Sequence, residues 1–137
     1  MEHKRVLFLC TGNSVRSQIA EALVNSDMEH QWQAFSAGSK PAGFVHPYAL
    51  KVLEEAGIHH KGVSKSVDSL RGQKFDLIIT VCNDVEENCP IWLGEGKQLH
   101  LAFPDPSKVS GSDEQKLAAF RELREEIRKK ILPLLPV

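Results

Sequence analysis

The segment Cys10-Thr-Gly-Asn-Ser-Val-Arg-Ser17 packs a nucleophile, a cation and a run of small polar residues into one short stretch. Cysteine is reactive as its thiolate, and a neighbouring positive field favours that form. Arg16 can grip two oxygens of an anion at once, a geometry that lysine cannot reproduce. Gly12 is expected to let the backbone curl closely around the bound group. Cys10 is therefore the candidate nucleophile. Thr11, Gly12, Asn13, Ser14, Val15, Arg16 and Ser17 are the candidate ligands of a tetrahedral oxyanion.

Three further residues could join this chemistry. Oxygen leaving a tetrahedral centre needs a proton, and Asp105, held between Pro104 and Pro106, is a candidate general acid. Alternatively it is an ordinary turn aspartate. Cys82 and Cys89 bracket an acidic stretch, Cys82-Asn-Asp-Val-Glu-Glu-Asn-Cys89-Pro90. Taken singly, Cys82 reads equally well as a small buried hydrophobe and Cys89 as a bystander in a polar loop. Together with the Cys10 segment they favour redox work. The cysteines lack the close pairing of zinc sites. His59 and His60 follow a helix end and are expected to face solvent, His100 is expected within a strand, and no metal site is expected. Trp32 and Trp92 read as packing residues.

The elements around these residues must bring them together. Arg5 to Leu9 is an almost continuous apolar run, as in a strand buried on both faces. From Arg16 to Met28 the period turns helical, with Ile19, Ala20, Leu23 and Val24 on one side. Gln31 to Phe35 suggests a second strand. His46-Pro47 opens a helix that Gly57 stops, with Leu50, Leu53 and Ala56 along one side. Phe75 to Val81 is the clearest strand, and Gln98 to Phe103 a weaker one. A last helix starts at Ser112, whose spacing to Gln115 matches a capping box. Leu117, Phe120, Leu123, Ile127 and Ile131 form its buried stripe, and Pro133 ends it.

Strands alternating with helices imply an α/β fold, a parallel sheet covered on both faces. The Cys10 segment then lies where a strand ends and a helix begins, at the sheet edge that usually binds ligands. Helix N-termini favour anions there. With the usual strand order, the first and third strands are neighbours, so Cys10 and Cys82 end side by side, within reach of a disulfide. Asn83 to Asn88 is expected to form at most a short, loosely anchored helix. That helix would have to unwind for Cys82 and Cys89 to bond.

Composition narrows the class. The 137 residues suit one domain spanning 1–137, with 42% hydrophobic and 26% charged residues. A net charge of −1 argues against nucleic acid or a membrane surface as partner. The apolar run before Cys10 is too short for a signal peptide, so a cytosolic location is expected. A monomer is the default expectation. Three cysteines in a reducing compartment do not read as a structural disulfide framework.

These residues resemble the low-molecular-weight protein tyrosine phosphatase superfamily, and within it the thioredoxin-coupled arsenate reductases. The likeness rests on Cys10 to Ser17, Phe35-Ser-Ala-Gly38, Cys82 through Pro90, and Phe103-Pro-Asp-Pro106. It implies a three-layer sandwich with a four-stranded parallel sheet flanked by helices. It also implies that Cys10 attacks arsenate while Arg16 holds it and Asp105 protonates the departing hydroxyl. A Cys10–Cys82 disulfide would form next, then a Cys82–Cys89 disulfide reduced by thioredoxin, the electron donor, with no bound cofactor. A glutaredoxin-linked route is the other option for the reductant. The rival reading is a phosphatase hydrolysing phosphomonoesters, although Ser107 stands where family phosphatases often carry tyrosine. A non-catalytic oxyanion sensor is a third. Some of these reductases hold potassium near the loop. Asn13, Glu21 and Ser36 match its ligands, but Lys65 or Ser66 replaces the expected aspartate, so no specific cation is expected.

Overall fold

The computed structural model describes residues 3–83 and 90–136. Among the described residues, four strands and three α-helices follow one another: β1 Lys4–Cys10, α1 Arg16–Asp27, β2 Trp32–Gly38, α2 Pro47–Glu55, β3 Leu77–Thr80, β4 Lys97–His100 and α3 Asp113–Ile131. The strands form one parallel sheet in the order β2-β1-β3-β4. β1 is central, which explains its unbroken apolar sequence: Val6 to Leu9 are fully buried.

The two faces of the sheet are covered differently. Val6, Phe8, Leu77 and Ile79 pack against residues from α1, α2 and α3, so all three helices lie on this face. Leu7, Leu9 and Ile78 face the other way, under a thinner cover. Among the described residues, that cover is the 3₁₀ turn Val67–Leu70 together with Phe75 and Trp92. Phe75 meets Phe35 and Trp92 edge-on. The three-layer expectation holds, with the second cover lighter than the first.

α3 follows its sequence closely. Ser112 and Gln115 form the reciprocal capping box, and the five buried residues are those of the expected stripe. α2 begins at Pro47, with the His46 ring accepting the Tyr48 N–H at 3.0 Å as an N-cap. Its buried side is Ala49, Val52 and Leu53, rotated from the expected Leu50, Leu53 and Ala56 because the short helix faces α3 and Phe120. β2 runs three residues past Phe35, to Gly38, and β3 and β4 are shorter than their apolar runs. Residues 84–88 of the expected acidic helix, and Cys89, lie outside the described residues.

Candidate active site

The parallel register sets the site. Cys10 ends β1 opposite Gly38 of β2, while Leu9 pairs with Thr80 of β3. A side chain at position 38 would collide with the Thr11 carbonyl and crowd the Asn13 amide. Glycine is thus required for the loop to fold against β2. The loop's turn itself is made by Asn13, at φ 48°, and not by Gly12, whose φ lies outside the left-handed region. Asparagine is among the few residues that visit this region readily. Here its buried side chain is fixed by hydrogen bonds to Ser17, Gln18 and the Lys65 amide.

A cavity of about 250 Å³ opens over this loop. Cys10, Gly12, Ser14, Val15, Arg16 and Asp105 line it, together with Ala42, Phe44, His46 and Ser107. The Cys10 sulfur is 1% exposed; it lies 2.8 Å from the Ser17 hydroxyl and accepts the Asn13 backbone N–H at 3.3 Å. Among the described residues it is a free thiol. Val15 precedes α1 without any side-chain cap, leaving the helix start to whatever occupies the cavity. Arg16 is buried, donates to the Phe103 carbonyl at 3.2 Å and stands 4.0 Å from Asp105. Asp105 is anchored by the Ser107 N–H and hydroxyl on one oxygen, which caps the 3₁₀ turn Pro106–Lys108. Its other oxygen faces Arg16.

The expected oxyanion ligands divide into two tiers. Gly12, Ser14, Val15 and Arg16 line the cavity, whereas Asn13 and Ser17 are fully buried beneath it. The Thr11 hydroxyl is buried with no hydrogen-bond partner among the described residues. Cys82 follows β3, wholly buried, with its sulfur 4.0 Å from the Leu9 carbonyl. Its sulfur is not a free thiol. Cys89 lies outside the described residues.

His46 and Phe44 went unmarked in the sequence. Their only local signal was that of a helix cap, and the cavity wall they form is a tertiary product. Burial pulls the His46 pKa below its ordinary value, partly offset by the Asp105 charge. His60 is a correction. It does not face solvent: it is half-buried, bonded to Gln18 at 2.7 Å and 3.6 Å from Glu21. Burial and the Lys65 charge lower its pKa, while burial raises that of Glu21, less the opposing effects of Lys65 and Ser36. His59 is exposed as expected, and His100 ends β4 with its ring on the Thr80 hydroxyl.

The potassium ligands of the resembling reductases do not fit a cation in this chain. The Asn13 side-chain oxygen already accepts two hydrogen bonds, from Gln18 and the Lys65 amide. The Ser36 hydroxyl turns its proton to Glu21, and the Lys65 ammonium adds positive charge nearby.

A buried cysteine thiol under an anion-sized cavity, with a buried arginine beside it, is the arrangement of this loop, and the chain belongs to the low molecular weight phosphotyrosine protein phosphatase family, which it matches over residues 5–136. Its relatives narrow the comparison. An arsenate reductase of Halalkalibacterium halodurans is 40% identical over 132 residues, 96% of this chain and 94% of that protein. A solved arsenate reductase in the phosphate binding state superposes with a TM-score of 0.72 at 25% identity, covering 96% of this chain and 95% of the other. A thioredoxin-dependent arsenate reductase of Corynebacterium glutamicum gives 0.62 at 33% identity, over 93% of this chain and 59% of its own.

Proposed function

We propose that this chain is an arsenate reductase, a single domain over 1–137 that works in the cytosol as a monomer and takes its electrons from thioredoxin. The observation that carries the reading is the placement of two cysteines at neighbouring strand ends. Cys10 is a buried thiol facing an anion-sized cavity, and Cys82 stands wholly buried just beyond the end of the adjacent strand. A phosphatase needs only the first. The names of the relatives support the same reading.

The reaction follows from the residues in place. The Cys10 thiolate bonds to arsenic while Arg16 and the loop amides hold the oxygens, and Asp105 protonates the departing hydroxyl to water. The Cys82 thiolate then attacks the Cys10 sulfur. The electron pair of the sulfur–arsenic bond stays on arsenic, so arsenate leaves as arsenite and a Cys10–Cys82 disulfide remains. Cys89 attacks Cys82, Cys10 is released as a thiolate, and the Cys82–Cys89 disulfide is reduced by the thioredoxin dithiol.

Phosphomonoester hydrolysis is the second reading, with Phe44 in its favour. This ring lines the cavity yet is 57% exposed, as a platform for an aryl group would be. An assay of NADPH oxidation with thioredoxin and its reductase separates the two. Arsenate should drive steady oxidation. Rapid hydrolysis of an aryl phosphate, with no arsenate-dependent oxidation, would establish the phosphatase instead.

A further inference from the structure

The hydrogen bonds beneath the loop can run in only one direction. Gln18, fully buried on α1, places its amide nitrogen 3.2 Å from the Asn13 carbonyl and 3.1 Å from the Val63 carbonyl. Carbonyls only accept, so this atom is the NH₂ group and the amide oxygen is turned to His60, 2.7 Å away. That oxygen also only accepts, so His60 Nε2 carries a proton. Further along, Asn13 Oδ1 accepts from the Lys65 backbone N–H at 2.9 Å, and Gln18 Nε2, 3.0 Å away, shares its two protons between this oxygen and the two carbonyls. Asn13 Nδ2 therefore donates to the Ser17 hydroxyl at 2.8 Å. A Cys10 thiolate can only accept, so the Ser17 hydroxyl, 2.8 Å away, turns its own proton to that sulfur.

We propose that His60 and Gln18 are positioning residues for the nucleophile: through Asn13 they aim the Ser17 hydroxyl proton at the Cys10 sulfur and so stabilise its thiolate. The inference rests on Cys10 being the nucleophile of the proposed reaction, and is indifferent to which oxyanion is attacked. Neither residue touches the cavity. The ionisable groups facing Cys10 across the cavity are Arg16, Asp105 and His46; Glu21 and Lys65 face His60 from within, and Glu54, His59 and Lys61 share its outer cavity. A single hydrogen bond to a charged atom commonly changes its stability enough for about a tenfold effect.

The test uses the full chain in a Cys82→Ser, Cys89→Ser background, where Cys10 is the only thiol. Iodoacetamide alkylation is followed against pH, and thermal melts verify folding. His60→Leu and Gln18→Met should each slow alkylation near pH 7 about tenfold and converge with the parent at alkaline pH. His60→Gln, whose amide N–H can take the place of Nε2–H, should restore the parent profile. In a Ser17→Ala background, His60→Leu should add nothing. Folded His60→Leu with an unchanged profile would overturn the proposal, as would a His60→Gln profile no better than that of His60→Leu. Should either apolar variant fail to fold, nitrogen NMR of the unaltered protein still decides: protonation of His60 at Nδ1 alone would refute the direction of the chain. Loss of arsenate reduction with these profiles intact would instead count against the proposed substrate.

Discussion

The Arg16 guanidinium and the Asp105 carboxylate face each other at 4.0 Å, one arising from the strand–helix loop after β1 and the other from the turn before α3. In the proposed reaction Arg16 holds the oxyanion and Asp105 serves the leaving oxygen, so their losses should differ in kind. Arg16→Ala should abolish both arsenate reduction and any phosphatase activity. Asp105→Asn should lower turnover about 100-fold or more while Cys10 alkylation continues at the parental rate. An Asp105→Asn enzyme with full turnover would remove the general acid from the mechanism.

Cys82→Ser and Cys89→Ser should each stop multiple turnover with thioredoxin while sparing hydrolysis of an aryl phosphate. The shared first step needs neither residue. Normal steady-state arsenate reduction by Cys89→Ser would show that the relay has a different resolving partner.

Gly38 is where β2 meets the loop, and Gly38→Ala forces a Cβ against the Thr11 carbonyl and the Asn13 amide. Overpacking of this kind costs about 1–3 kcal/mol. A lowered melting temperature should accompany a loss of activity larger than the loss of folded protein. Parental activity and stability together would mean that the loop has slack.

Glu21 gives a pH dependence with a definite sign. Burial raises its pKa in the fold above the ordinary 4.5, so the folded protein binds its proton more tightly than the unfolded chain does. The associated stability is complete below 4.5 and is lost as pH rises through the elevated value. Glu21→Gln keeps an acceptor for Ser36 and removes the buried charge. It should raise the melting temperature at pH 8 and change it little near pH 4. A gain that is larger in acid would reverse the assignment. His60 has the opposite sign: its stability is present above its ordinary 6.5 and is lost as pH falls through the lowered value. The two must be measured separately, in single variants.

How far the sequence discloses this structure depends on the reach of each interaction. The α3 stripe and its capping box are local patterns, and all five core residues appear where their spacing puts them. The order β2-β1-β3-β4 follows from general rules for parallel sheets, and so does the adjacency of Cys10 and Cys82. His60 was misjudged because its partner Gln18 is 42 positions away, and no local period announces a buried polar contact. The expected strand from Gln31 to Phe35 runs on to Gly38, where packing beneath the loop needs small residues that carry no strand pattern of their own. The Asn13 side chain lies beneath the loop, held by contacts that no local pattern announces.

The centrality of β1 has a consequence for biosynthesis. Cys10 leaves the ribosome early, but its surroundings are collected from far down the chain: Gly38, the Lys65 amide, the end of β3 and Asp105. Parallel pairing cannot close until those later segments have emerged. Throughout most of translation the nascent nucleophile is therefore an ordinary cysteine in an unstructured leader, open to oxidants and to mixed disulfides. The surroundings of its thiol are assembled only as synthesis nears completion.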